Sequence, residues 1–195
     1  LEFFTAHGPE GISRIKKLGL PIFLDLKLYD IPNTVKKSLS NILKLSPEFT
    51  TVHISGGSEM LNECVKLKNE FDSSTKIIGV TMLTSFNNEL INEIGLQKNV
   101  SDNVENLSNL AIKCGLDGIV CSPLEIDMIK KNYGNKLKLI VPGIREIDSN
   151  ANDQKRTLTA KEAFDAGGDV IIVGRPIVEA NSPANAAAAI LQSLR

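Results

Sequence analysis

Six short stretches of the chain are predominantly apolar: residues 22–26, 51–54, 77–83, 118–121, 137–141 and 170–173. None alternates cleanly between polar and apolar positions. Such runs predict strands buried on both faces, as in a parallel sheet flanked by helices. Between them, apolar positions recur at helical spacing. Ile12, Ile15 and Leu18 make a stripe that stops at Gly19. Pro32 suits a first helical position, and Val35, Leu39, Ile42 and Leu43 follow on one helical face. Ser101 predicts the cap of a helix carrying Val104, Leu107, Ala111 and Cys114, ended by Gly115. Thr159 and Glu162 make a capping box, and Ser182-Pro183 opens a final Ala-rich helix ending near Leu194.

The pattern is β-α repeated six times, preceded by a strand stub over residues 1–4 with its own helix. No Pro/Ser-rich linker, low-complexity tract or compositional break interrupts it, which predicts one domain over residues 1–195. Strict alternation admits a doubly wound sheet or a closed eightfold barrel. No GxGxxG follows any strand, which weakens the dinucleotide-binding alternative. The repeat count favours an α/β chain of the (β/α)8 TIM barrel class with its first strand-helix unit missing. The first residue is Leu1 rather than Met, in keeping with a natural N-terminus further upstream.

Composition narrows the partners. Basic and acidic residues number 22 and 23, so no bulk charge draws the chain to nucleic acid or an anionic membrane. No apolar run approaches the roughly 18 residues of a membrane span, and no signal peptide opens the chain. Cys64, Cys114 and Cys121 are odd in number and share no CxxC spacing. That argues against a disulfide framework or a zinc site and fits a reducing, cytoplasmic setting.

In a parallel barrel the C-terminal strand ends carry the chemistry. The first complete strand ends in Asp25-Leu26-Lys27-Leu28-Tyr29-Asp30. A period of two puts Asp25 and Lys27 on one face, inward if Leu24 and Leu26 pack against helices. An isolated D-x-K is about as often a structural ion pair as a site. Charges inside a barrel are costly unless paired or used, and Asp30 adds a third at the same mouth. Thr84 offers a hydroxyl at another strand end. His53 and the Cys121-Ser122-Pro123 segment read as packed, structural residues. The last two strand ends resemble an anion site. Pro142-Gly143-Ile144-Arg145 opens a long polar stretch containing Asp153, Gln154, Lys155 and Arg156, and Gly174-Arg175-Pro176 follows the last strand. Polar loops of that length often act as lids, and barrels commonly hold phosphate with these two loops. Three of the five arginines fall here.

Five segments carry a more specific signal: FLDLKLYDIPNT (23–34), VTMLTS (80–85), VPGIR (141–145), DQKR (153–156) and VGRPI (173–177). In order and spacing they closely resemble the bacterial type of the orotidine 5′-phosphate decarboxylase family, across essentially the whole chain. The resemblance implies a homodimeric (β/α)8 barrel that converts orotidine 5′-phosphate to UMP and CO2 with no metal or organic cofactor. It implies that Lys27 protonates C6 of the pyrimidine, with Asp25 beside it. Asp30 and Thr34 resemble residues reaching into the partner subunit's site, so that active sites are shared. Thr84 is similar to a residue contacting the pyrimidine. Arg145, Gln154, Gly174 and Arg175 resemble the phosphate grip, and Pro142 lies in the same substrate-binding segment. The family also carries an Asp on its first strand and a Lys in a K-V-G segment just before the position matching Leu1. Neither is present in this sequence.

Two other readings share part of this pattern. A Mg-dependent sugar-phosphate decarboxylase or aldolase would share the barrel and D-x-K-x-x-D. An inert phosphate-ligand-binding barrel fragment would bind UMP without turning substrate over.

Overall fold

A computed structural model describes residues 1–144 and 158–194. The chain divides into two compact units, one of Leu1–Val80 with Asn109–Gly118, the other of Thr81–Ser108 with Ile119–Arg195.

In the first unit, β1 (Phe23–Leu28), β2 (Phe49–His53) and β3 (Lys76–Val80) lie side by side in sequence order and pair in parallel. They alternate with α1 (Glu2–Lys16), α2 (Pro32–Leu45) and α3 (Gly57–Glu70). Pro32 begins α2 as its fixed φ favours, and the helix buries Val35, Leu39, Ile42 and Leu43, the four positions the pattern marks. Helix α3 buries Met60, Leu61, Cys64 and Leu67. Gly79 in β3 admits close packing. A Cβ there would stand 2.6 Å from Ile54 Cγ1 and 2.7 Å from Leu116 Cδ1.

Residues 1–4, expected as a strand stub, instead lead into α1. Thr5 N–H donates to the Leu1 carbonyl at 3.0 Å, the Thr5 hydroxyl to the Glu2 carbonyl at 2.8 Å, and the Phe3 ring packs 4.7 Å from the His7 ring one turn on. These local bonds satisfy backbone groups that a strand would have to pair with a neighbour. The helix kinks at Gly8, whose φ of 57° precedes Pro9, a residue that disfavours helical backbone before it. Of the expected stripe only Ile12 is buried; Ile15 and Leu18 are exposed.

The second unit holds β4 (Gly118–Val120, entering at Ile119), β5 (Lys138–Val141) and β6 (Val170–Ile171), with β5 and β6 paired in parallel. Its helices are α4 (Asn88–Glu93), α6 (Ile126–Tyr133), α7 (Ala160–Asp165), α8 (Arg175–Val178) and α9 (Pro183–Ser193); α5 (Val100–Lys113) has residues in both units. The Thr159–Glu162 capping box forms as read, and its hydrogen bonds to Thr159 hold the Glu162 carboxyl below its usual range. Ser101 does not cap α5. Asn99 stands two residues earlier, its side chain accepting from Asp102 N–H at 2.9 Å, and Ser101 is already helical. Strand β3 stops at Val80, short of the expected residue 83, and a turn follows in which Phe86 N–H donates to the Leu83 carbonyl.

One device recurs at the N-terminal edge of both units. Asp117 accepts from Lys68 Nζ with both oxygens at 2.7 Å and from the Ile77 amide at 2.7 Å. Asp169 accepts from the Leu139 amide at 2.8 Å and pairs with Lys130 at 3.6 Å. In each case one carboxylate closes the first rung of a strand and ties down the preceding helix. Charge at this end of a β/α repeat serves stability, which leaves the opposite end for chemistry.

Candidate active site

The C-terminal half of β1 departs from a regular ladder. Leu24 lies opposite Thr50 and Leu28 opposite Val52, so β1 spends three residues where β2 spends one. This is a β-bulge, and bulges re-aim side chains. Within it Lys27 adopts φ 52°, a left-handed conformation that an L residue with a long side chain enters at a cost of roughly 1–2 kcal/mol. Asp25 and Lys27 therefore meet through a bulge, not through the period-two alternation the sequence suggests. Lys27 Nζ donates to Asp25 Oδ2, and the two side chains remain 35% and 33% exposed. The pair is open enough to meet a ligand.

Strand β2 accounts for the polar groups the bulge frees. The Thr50 hydroxyl donates to the Leu24 carbonyl at 3.1 Å. The Thr51 hydroxyl donates to Asp25 Oδ1 at 2.8 Å and accepts from the Lys27 amide at 2.8 Å. Both threonines are fully buried. Sequence reading passed over Thr51; the available signal was two consecutive hydroxyls inside a buried strand, where each must find a partner.

His53 ends β2, half-buried, with its ring 5.5 Å from that of Tyr29. Burial holds its pKa below the usual value, the Lys27 charge lowers it further, and Asp25 opposes both. His53 thus stands within the electrostatic reach of the Asp25–Lys27 pair. Asp30 lies exposed just past β1, its carboxylate accepting from the Ile31 amide at 2.7 Å. It does not join the Lys27 pair. Thr34 is exposed in the first turn of α2. Between them Tyr29 and Ile31 expose 62% and 68% of their surface.

The remaining sequence-marked residues belong to the second unit or fall outside the described residues. Thr84 sits half-buried in the turn after β3. Pro142 follows β5, and Gly143 behind it takes a φ of 83°. Ile144 bridges Leu158 across the stretch 145–157. Arg145 and Gln154, with Asp153, Lys155 and Arg156, lie within that stretch and outside the described residues. Gly174 precedes α8, with open space where a Cβ would stand, and Arg175 is the first residue of that helix. Cys121 and Ser122 are structural as read: Cys121 is buried, and Ser122 caps a short helical turn with Glu125. Burial pushes the Cys64 thiol up to about 12, so it is no nucleophile. Among the described residues no group of three or more His, Cys, Asp or Glu side chains is placed to hold a metal ion. No helix among them is long and apolar enough to cross a membrane.

Comparison with known proteins identifies the family. The family model described as "Orotidine 5'-phosphate decarboxylase / HUMPS family" matches residues 1–190. The orotidine 5'-phosphate decarboxylase of Wolbachia sp. subsp. Brugia malayi (strain TRS) is 50% identical over 194 residues, covering 100% of this chain and 85% of that protein. That of Paramagnetospirillum magneticum is 43% identical over 201 residues, covering 100% and 85%. The crystal structure of the enzyme from Lactobacillus acidophilus superposes with a TM-score of 0.84 at 35% identity, covering 96% of this chain and 81% of that one. The alternating strands and helices are units of a (β/α)8 barrel. The chain belongs to the orotidine 5′-phosphate decarboxylase / HUMPS family.

Proposed function

We propose that this protein decarboxylates orotidine 5′-phosphate to UMP and CO2, a step of pyrimidine biosynthesis, with Lys27 as the proton donor. The observation that carries this reading is the Lys27–Asp25 ion pair, set in a bulge at the C-terminal end of β1 within a chain of this family. Loss of CO2 from C6 leaves an electron pair on a carbon with no obvious π-sink. The Lys27 ammonium stabilises that charge, and its proton then forms the new C6–H bond. The amine regains a proton from solvent. Asp25 supplies the counter-charge that a half-buried ammonium requires and stands where the substrate carboxylate must enter.

In the same proposal Thr84 contacts the pyrimidine, and Pro142, Arg145, Gln154, Gly174 and Arg175 line the nucleotide and grip its phosphate. The phosphate is remote from C6, so its binding energy serves to orient the ring and close the site. Residues 1–195 belong to one barrel domain that lacks its first strand-helix unit here, and the protein acts in the cytoplasm as a homodimer in which Asp30 and Thr34 reach the partner's site. The exposure of Tyr29, Ile31 and Thr34 around Asp30 supports a surface there that a second copy covers.

The test is conversion of orotidine 5′-phosphate to UMP by the purified protein in the presence of EDTA. Turnover that survives chelation supports the proposal. Loss of turnover on chelation, or activity on a pentulose or hexulose phosphate instead, would point to the metal-dependent relatives. UMP binding without turnover would mark an inert barrel. For the shared site, a Lys27→Ala protein mixed with an Asp30→Ala protein should regain activity after subunit exchange, because one hybrid site then holds both intact residues.

A further inference from the structure

The decarboxylase reading assigns Lys27 and Asp25 but leaves open what keeps a lysine in a left-handed backbone conformation at a strand end. Nothing in the covalent chain favours it, and such strain persists only where its surroundings over-determine it. The single residue of β2 facing the bulge is Thr51. Its hydroxyl is used in a fixed polarity. The Lys27 amide can only donate, so the hydroxyl oxygen accepts; an ionised Asp25 carboxylate can only accept, so the hydroxyl proton goes there. One buried atom thus bonds the first and last residues of the bulge at once.

We propose that Thr51 is the positioning residue of this site. By holding the Lys27 amide it replaces the ladder bond that the bulge removes and fixes the backbone from which the ammonium projects. By occupying Asp25 Oδ1 it leaves Oδ2 facing Lys27 Nζ. Thr51 touches no substrate atom in this role. It sets the distance and direction between ammonium and carboxylate, on which the developing charge at C6 depends. The inference rests on the decarboxylase reading for its kinetic consequence, while its geometric content stands apart from that reading.

The experiment compares Thr51→Val, which keeps the shape and removes the hydroxyl, with Thr51→Ser, which keeps the hydroxyl. Loss of a hydrogen bond to a charged group predicts that Thr51→Val lowers kcat by about 10- to 100-fold. KM and UMP affinity should change little, because the nucleotide's own contacts remain. Thr51→Ser should recover most of the lost rate. A purely structural role would lower the unfolding midpoint without splitting kcat from KM. Wild-type kcat in Thr51→Val, or equal damage from Ser and Val, overturns the proposal. Should Thr51→Val fail to fold, Thr51→Ala set against Thr51→Ser carries the same comparison. Should the wild-type protein fail to turn over orotidine 5′-phosphate, the decarboxylase reading falls by itself. Thr51 is then judged by hydrogen exchange at the Lys27 amide, which should speed up in Thr51→Val and stay slow in Thr51→Ser; unchanged exchange in Thr51→Val overturns it.

Discussion

Replacing Asp117 by Ala removes three interactions at one stroke. The Ile77 amide loses its acceptor, and Ile77 is fully buried, so water cannot replace it. An orphaned buried donor costs about 1–3 kcal/mol. Lys68 loses both contacts to the carboxylate, with its own side chain only 18% exposed. Its stem can still carry the ammonium toward water, so this part adds about 1 kcal/mol and not the full cost of a buried charge. The expected loss is therefore about 2–4 kcal/mol. Asp117→Asn retains an acceptor for the amide and gives up the ion pair, and should lose about half as much. Lys68→Met leaves the amide bond intact and should cost about 1 kcal/mol or less. Asp169 provides an internal comparison. It makes the same amide bond, to Leu139, but its lysine stands at 3.6 Å, so Asp169→Ala should lose the amide part and little more. Urea unfolding followed by far-UV circular dichroism measures all four variants. A loss under about 0.5 kcal/mol for Asp117→Ala would refute the reasoning. So would equal losses for Ala and Asn, since the amide would then not be what the carboxylate secures.

Gly79→Ala forces a methyl against Ile54 and Leu116 and should destabilise the protein by about 1–3 kcal/mol, read from the same unfolding curves; a neutral result would mean the strand yields there. His53 titrates below its ordinary value in the folded protein, so the unfolded chain binds the proton more readily and His53 favours folding above about pH 6.5. That contribution is lost as pH falls through the folded-state value. The stability gap between wild type and His53→Gln should accordingly widen from about pH 5 to pH 7, and a gap independent of pH would contradict the assignment. Arg175→Ala should weaken binding of orotidine 5′-phosphate at least about tenfold, with little change for the unphosphorylated nucleoside. Equal losses of kcat/KM for both substrates would remove Arg175 from the phosphate grip.

Much of this architecture was legible in the chain because buried strands and amphipathic helices leave regular patterns. The four core residues of α2, the start at Pro32 and the Thr159–Glu162 box needed only local rules. Residues 1–4 misled because a short apolar run looks alike as strand or helix, and the contact that decides between them, Phe3 on His7, spans one helical turn. Asp25 and Lys27 do meet, as the sequence suggested, but for a geometric reason that the structure replaces. Alternation placed them on one face, whereas a bulge joins them, and no residue in FLDLKLYD announces a bulge. Lys27 is not a glycine, and the left-handed turn it takes is imposed from β2, 24 residues away in sequence. For Thr51 the sequence shows only that two adjacent hydroxyls, Thr50 and Thr51, need partners, not which partners they find. The role of Thr51 lies in a pairing across strands, and a hydroxyl in a strand carries no mark of what it will meet.

The central claim concerns the proton donor, and the most direct measurement is release of labelled CO2 from orotidine 5′-phosphate carrying carbon-13 in its carboxylate, compared between wild type and Lys27→Ala. Circular dichroism first establishes that the variant keeps its fold. Removing a general acid costs about 10²–10⁴ in rate, and removing the charge that stabilises the carbanion costs about 10²–10³ more. The account predicts rapid release by the wild-type protein and a loss of at least about ten-thousandfold in Lys27→Ala. Near-normal release by the folded variant would contradict it.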